Sequence, residues 1–117
     1  MAAHYAEDVD SAAVMALLDP YVSSSLGLTY DPAHARVGKQ DPVAAVRTIG
    51  AAIRHVHLSD NDGSVDQHRP LGTGTIDFPA VLSELHKIGY CGALELELGQ
   101  HEEYLVSRDY LQQRHAF

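Results

Sequence analysis

The sequence holds one cysteine, Cys91, no tryptophan, and half as many basic as acidic side chains. A single thiol excludes an internal disulfide and fits a reducing, cytoplasmic setting. With 8 Lys and Arg against 16 Asp and Glu, the formal net charge is −8. That balance repels polyphosphate surfaces and disfavours nucleic acid as a partner. No run of about 18 apolar residues occurs, so no membrane span is expected. The first ten residues, MAAHYAEDVD, lack the basic and apolar regions of a secretory signal. There is no Walker lysine and no full GxGxxG, which removes the usual nucleotide cradles; the LGTG at Leu71 to Gly74 reads as a tight turn. Neither Ser/His/Asp nor Cys/His nucleophile spacing stands out, and Cys91 lies before its strand rather than after it.

What is present suffices for one small domain. The chain has 117 residues, 45% of them hydrophobic, so a core is expected and disorder is not. DSAAVMALL, Asp10 to Leu18, has helical apolar spacing and is closed by Asp19-Pro20. SSLGLTY, Ser24 to Tyr30, reads as a strand running into Asp31-Pro32. Asp41-Pro42 opens a second helix through Ala52, because an Asp cap followed by Pro satisfies a first turn. IRHVHL, Ile53 to Leu58, alternates apolar and polar and ends in the turn cluster SDNDG. A long loop follows to Ile76. Asp77 then caps a helix whose Val81, Leu82, Leu85 and Ile88 share one face, and Gly89 ends it. GALELEL, Gly92 to Leu98, alternates strictly, and HEEYLVSRDYLQQ forms a last helix. The pattern predicts an α/β chain: one helix, then three strand–helix units in parallel βαβ order. Three parallel strands do not close a sheet, so the chain is expected to be part of a larger architecture or to assemble with a partner.

The polar residues gather at strand ends. Arg54 to Gly74 alone holds His55, His57 and His68 with Asp60, Asp62 and Asp66. In an α/β barrel, chemistry sits at the C-terminal ends of the strands and in the loops after them. Asp31, His57 and Glu97 each occupy such a position on a different predicted strand. Taken singly, each has a plainer reading: Asp31 as a turn residue, His57 as a rim histidine, Glu95 and Glu97 as one solvated face. Three strand ends delivering carboxylates and an imidazole to one rim favour a divalent cation instead, of the Mg, Mn, Co or Zn kind. Asp31 with His34, and Asp66 with His68, form weaker pairs on loops.

The segments LGLTYDPAHA, IRHVHLSDND and HRPLGTGTIDFPAVLSELHKIGYCGALELEL together resemble the sugar phosphate isomerase/epimerase family with a xylose isomerase-like TIM barrel. The resemblance runs from about Leu26 to Leu98 and corresponds to the last three strands of that barrel. It implies a partial (β/α)8 TIM barrel, with residues 1–117 as the C-terminal portion: three βα units preceded by a helix. It implies metal ligation by Asp31, His57 and Glu97, with Glu97 also moving a proton and His34 facing substrate. Asp66 and His68 match a pair that zinc-dependent abasic-site endonucleases of the same superfamily use for further metals. Arg69 is the nearest candidate for a substrate-binding arginine. The family's first glutamate ligand, on an earlier strand, has no counterpart here, and Cys91 stands where relatives commonly have Asp.

The chemistry that follows is isomerisation or epimerisation of a sugar, sugar phosphate or related polyol by proton transfer through an enediolate. A divalent cation stabilises the developing charge, and a pair of carboxylates moves the proton. Glu97 is one of that pair; its partner is expected outside this chain, which alone should be catalytically incomplete. Its complement would be the missing barrel half or a second copy. Two other readings compete: an abasic-site endonuclease-like zinc phosphodiesterase, which the net charge disfavours, and a non-catalytic half-barrel serving binding or assembly.

Overall fold

Aspartates one or two residues ahead of prolines set the rhythm of this chain. In a computed structural model, which describes residues 2–3 and 11–114, Asp31, Asp41 and Asp77 each cap a helix. The Asp31 carboxylate accepts the N–H of Ala33 at 2.9 Å, Asp41 that of Val43 at 2.9 Å, and Asp77 that of Ala80 at 3.2 Å. Each satisfies an otherwise unpartnered first-turn donor.

The elements run β1 (Ala2–Ala3), α1 (Ser11–Leu18), β2 (Gly27–Tyr30), α2 (Pro32–Val37), α3 (Pro42–Ile49), β3 (Ile53–Leu58), α4 (Phe78–Lys87), β4 (Leu94–Leu96) and α5 (His101–Gln113). Single 3-10 turns follow α1 and α3. The α/β expectation holds, with two additions that carry no sequence signal. One is β1, two residues long, which pairs with β2 and makes the sheet four-stranded. The other is α2, a six-residue helix too short to show a period. Of the predicted first helix, Asp10 lies outside the described residues.

Strands 2 and 4 are shorter than predicted. Ser23 to Leu26 closes a small turn, with Ser23 N–H donating to the Leu26 carbonyl at 2.9 Å, so β2 starts at Gly27. The Tyr90 hydroxyl donates to the Ala93 carbonyl and bends the chain ahead of β4.

The sheet order is β1-β2-β3-β4, all parallel, with β1 and β4 at its ends. Tyr30, Val56 and Leu94 lie side by side across three strands, and Leu58 beside Leu96. This is the helix-covered face: Tyr30, Val56 and Leu58 are buried with Val46 and Ile49 of α3 and Val81 and Leu85 of α4. The Tyr30 hydroxyl donates to the Pro42 carbonyl at 2.6 Å, and Arg47 of α3 pairs with Glu84 of α4 at 2.7 Å. Strand alternation puts Thr29, His55, His57 and Glu95 on the opposite face. That face is polar, which an ordinary one-sided core does not require. No helix among the described residues is long and apolar enough to cross a membrane.

Candidate metal centre

The three strand-end side chains meet. Asp31, His57 and Glu97 each offer one ligand atom, and these atoms lie within 4.8 Å of one another. Asp31 follows β2 directly, His57 is the penultimate residue of β3, and Glu97 follows β4. The β4 ladder continues past its last strand residue, because Glu97 N–H donates to the Leu58 carbonyl at 3.0 Å. That bond fixes the backbone beneath the glutamate. Its carboxylate Oε1 then contacts Nδ1 of His57.

Asp31 does two jobs at once. Its Oδ1 accepts the Ala33 and His34 N–H groups at 2.9 and 3.3 Å, while Oδ2 faces His34 Nε2 at 3.4 Å. Burial raises its carboxyl above the usual range, against the lowering influence of His34 and the two backbone donors. A carboxylate held charged in such a place calls for a positive partner.

The weaker pairs of the sequence join the same cluster. Asp66 Oδ2 lies 3.3 Å from His34 Nε2 and 3.0 Å from His68 Nε2. His68 Nδ1 lies 3.0 Å from the Glu97 carbonyl. A carbonyl only accepts, so Nδ1 carries the proton there. The hydrogen bond to the Glu97 carbonyl raises the His68 pKa, and the Asp66 carboxylate adds to that direction. His68 adopts φ 51°, a left-handed conformation uncommon for a non-glycine residue. Asp66 Oδ1 is buried and, among the described residues, accepts no hydrogen bond. Two carboxylates, an imidazole between carboxylates and an orphaned buried carboxylate oxygen form a hard, anionic donor set that fits a divalent cation.

Arg69 follows His68 directly and is engaged by other partners. Its backbone pairs with that of Asp60 in both directions at 2.9 Å, and its guanidinium sits 3.7 Å from the Asp62 carboxylate. Among the described residues no contact joins it to Asp31, His57 or Glu97.

Two groups that shape the site escape a sequence reading. Asp60 is fully buried, and its carboxylate accepts four backbone N–H groups: Asn61 at 2.9 Å, Gly72 and Gly74 at 3.0 Å, and Ile76 at 3.2 Å. The glycine turn thus wraps an internal carboxylate. Asn61, also buried, donates from Nδ2 to the Ala33 carbonyl at 3.1 Å and ties the loop to α2 beside Asp31. The second group is Glu95, whose Oε2 lies 2.6 Å from His55 Nε2 and 3.2 Å from His57 Nε2. The His55 contact holds its carboxyl below the usual range. Only the β3–β4 register, His57 beside Glu95, brings these together.

A parallel βα sheet with its polar ligands at the mouth formed by the strand C-terminal ends is the arrangement of α/β-barrel enzymes. The chain belongs to the xylose isomerase-like TIM barrel family, whose model matches residues 1–114. An uncharacterized protein of Methanocaldococcus jannaschii is 36% identical over 93 residues, 78% of this chain and 32% of its own length. A ketose 3-epimerase of Arthrobacter globiformis is 30% identical over 84 residues, 71% of this chain and 27% of its own. The crystal structure of a D-tagatose 3-epimerase-like protein matches with a TM-score of 0.81 and 31% identity, over 89% of this chain and 40% of that one. The chain therefore spans about a third of the length of the curated relatives it matches.

Proposed function

We propose that this chain supplies part of the active site of a divalent-metal-dependent sugar or sugar phosphate epimerase or isomerase. The observation that carries the reading is the meeting of Asp31, His57 and Glu97 at one barrel mouth, in a family with ketose 3-epimerase relatives. Asp31, His57 and Glu97 would hold the cation. When bound, it supplies Lewis-acid stabilisation of the negative charge that grows on the substrate's oxygens.

The proton chemistry falls to the chain's own carboxylate. Glu97 takes the proton from the carbon next to a ketose carbonyl; the electrons of that C–H bond form the new C=C bond, and the carbonyl π pair moves onto oxygen to give an enediolate. Return of a proton to the other face inverts the carbon. General acid–base catalysis of this kind contributes about 10²–10⁴-fold. The acid that returns the proton comes from strands outside this chain, contributed by further βα units or by a second copy. His34, with Nε2 between Asp31 and Asp66, is placed to hold a substrate hydroxyl.

Deuterium exchange tests the reading. In D2O with manganese, a ketohexose gains deuterium beside its carbonyl where the site is complete, and Glu97→Gln removes that exchange. Exchange surviving in Glu97→Gln takes the glutamate out of proton transfer.

The phosphodiesterase reading rests on one observation, that Asp66 and His68 join the cluster. Three bound zinc ions per chain would favour it. The net charge of −8 speaks for a sugar ligand over DNA.

A further inference from the structure

His57 faces a carboxylate from each of its two ring nitrogens. Nδ1 contacts Glu97 Oε1, on the side of the Asp31–His57–Glu97 cluster, and Nε2 lies 3.2 Å from Glu95 Oε2. A histidine that gives one ring nitrogen to a cation must be neutral there, and the other nitrogen then carries the proton and needs an acceptor. Glu95 Oε2 is that acceptor.

Glu95 itself is 55% exposed and would swing freely if nothing held it. His55 holds it: His55 Nε2 lies 2.6 Å from the same oxygen, and the two imidazoles meet edge to face with centroids 5.0 Å apart. One carboxylate oxygen is thus shared by two imidazoles that stand two residues apart on β3, while the carboxylate comes from the neighbouring strand.

Resting on the metal-site reading above, we propose that Glu95 is a positioning residue, anchored by His55. It fixes His57 as the Nε2–H tautomer and so directs the Nδ1 lone pair into the metal site. The same three side chains also cluster closely enough to ligate a cation themselves. The hydrogen-bond reading is the stronger one because one Glu95 oxygen serves both nitrogens at 2.6 and 3.2 Å, and this half-exposed group offers an ion a single carboxylate in competition with water.

Two measurements on the full chain test this separately from the metal reading. The first uses ring-¹⁵N NMR of the metal-free protein. His57 Nε2 is expected to carry a proton that exchanges slowly with water, and Glu95→Ala is expected to make that exchange fast. An unprotonated His57 Nε2 in the wild-type chain overturns the proposal. The second is titration with Co²⁺ alone, followed by its visible absorption. One ion per chain is expected, with affinity lowered about 10–100-fold in Glu95→Ala and largely kept in Glu95→Gln, whose amide oxygen still accepts from Nε2–H. Equal affinity in Glu95→Ala, or a second ion lost with Glu95, overturns it. A wild-type chain that takes up no cobalt defeats the metal reading, and the NMR result still decides whether Glu95 sets the His57 tautomer.

Discussion

Gly74 and Asp60 are in contact: the Gly74 N–H donates to Asp60 Oδ2 at 3.0 Å, and no side chain fits between them. A Cβ on Gly74 would sit 2.3 Å from the Asn61 carbonyl oxygen and 2.4 Å from Asp60 Oδ1. Neither neighbour is the loose end of a flexible side chain. Gly74→Ala should therefore cost about 1–3 kcal/mol by overpacking and also disturb Asn61, which ties this loop to α2. Gly89→Ala is the control. Gly89 has φ 82° with open space around its Cβ position, so alanine there should cost about 1–2 kcal/mol of backbone strain and leave the metal site alone. Urea midpoints give the stabilities and Co²⁺ titration the site. Equal cobalt affinity in both variants would separate the loop from the site.

Asp60 should be among the most damaging positions outside the cluster. Asp60→Ala leaves four backbone N–H groups without their acceptor in a buried place. An unsatisfied buried donor costs about 1–3 kcal/mol, so even with water entering the gap the expected loss is ~3 kcal/mol or more. Asp60→Asn keeps one acceptor oxygen and should lose less. Chemical denaturation of both variants measures the difference, and a loss below about 1 kcal/mol for alanine would mean the loop reorganises around the gap.

What the sequence made readable was local chemistry. Asp41 and Asp77 announce helix starts because a cap and its donors lie two or three residues apart, whereas Asp31 read only as a turn or strand-end residue. Alternation in IRHVHL and LELEL gave the faces, and strand ends gave Asp31, His57 and Glu97. Asp60 was hidden because its partners are backbone groups up to 16 residues away, which carry no side-chain signature. The His55–Glu95–His57 link was hidden because it depends on parallel register between strands 40 residues apart. Two-residue β1 and six-residue α2 are too short for any period to appear.

Arg69 should prove dispensable for the cation. Its guanidinium pairs with an exposed carboxylate, Asp62, at 3.7 Å. Exposed pairs of this kind contribute little, because water and salt screen them. Arg69→Ala should shift the urea midpoint little and leave cobalt affinity unchanged. A rise in KM for a phosphorylated ketose alone would assign the arginine to substrate phosphate.

Asp31 separates folding from metal binding, because its two oxygens do different work. Oδ1 caps α2 through Ala33 and His34, and Oδ2 faces the cluster. Asp31→Ala removes both roles and should cost about 1 kcal/mol from the lost cap even in the metal-free chain. Asp31→Asn keeps an acceptor for the cap and removes a charge whose burial is unfavourable, so the metal-free variant should be at least as stable as the wild type. The order reverses when a cation is added. At 100 times its Kd, a ligand bound only by the folded state stabilises it by about 2.7 kcal/mol. The wild-type Tm should rise accordingly with Co²⁺, and both variants, lacking the anionic ligand, should gain far less. If Asp31→Asn gains as much as the wild type, Asp31 is a helix cap only and the cation is held by the remaining residues of the mouth.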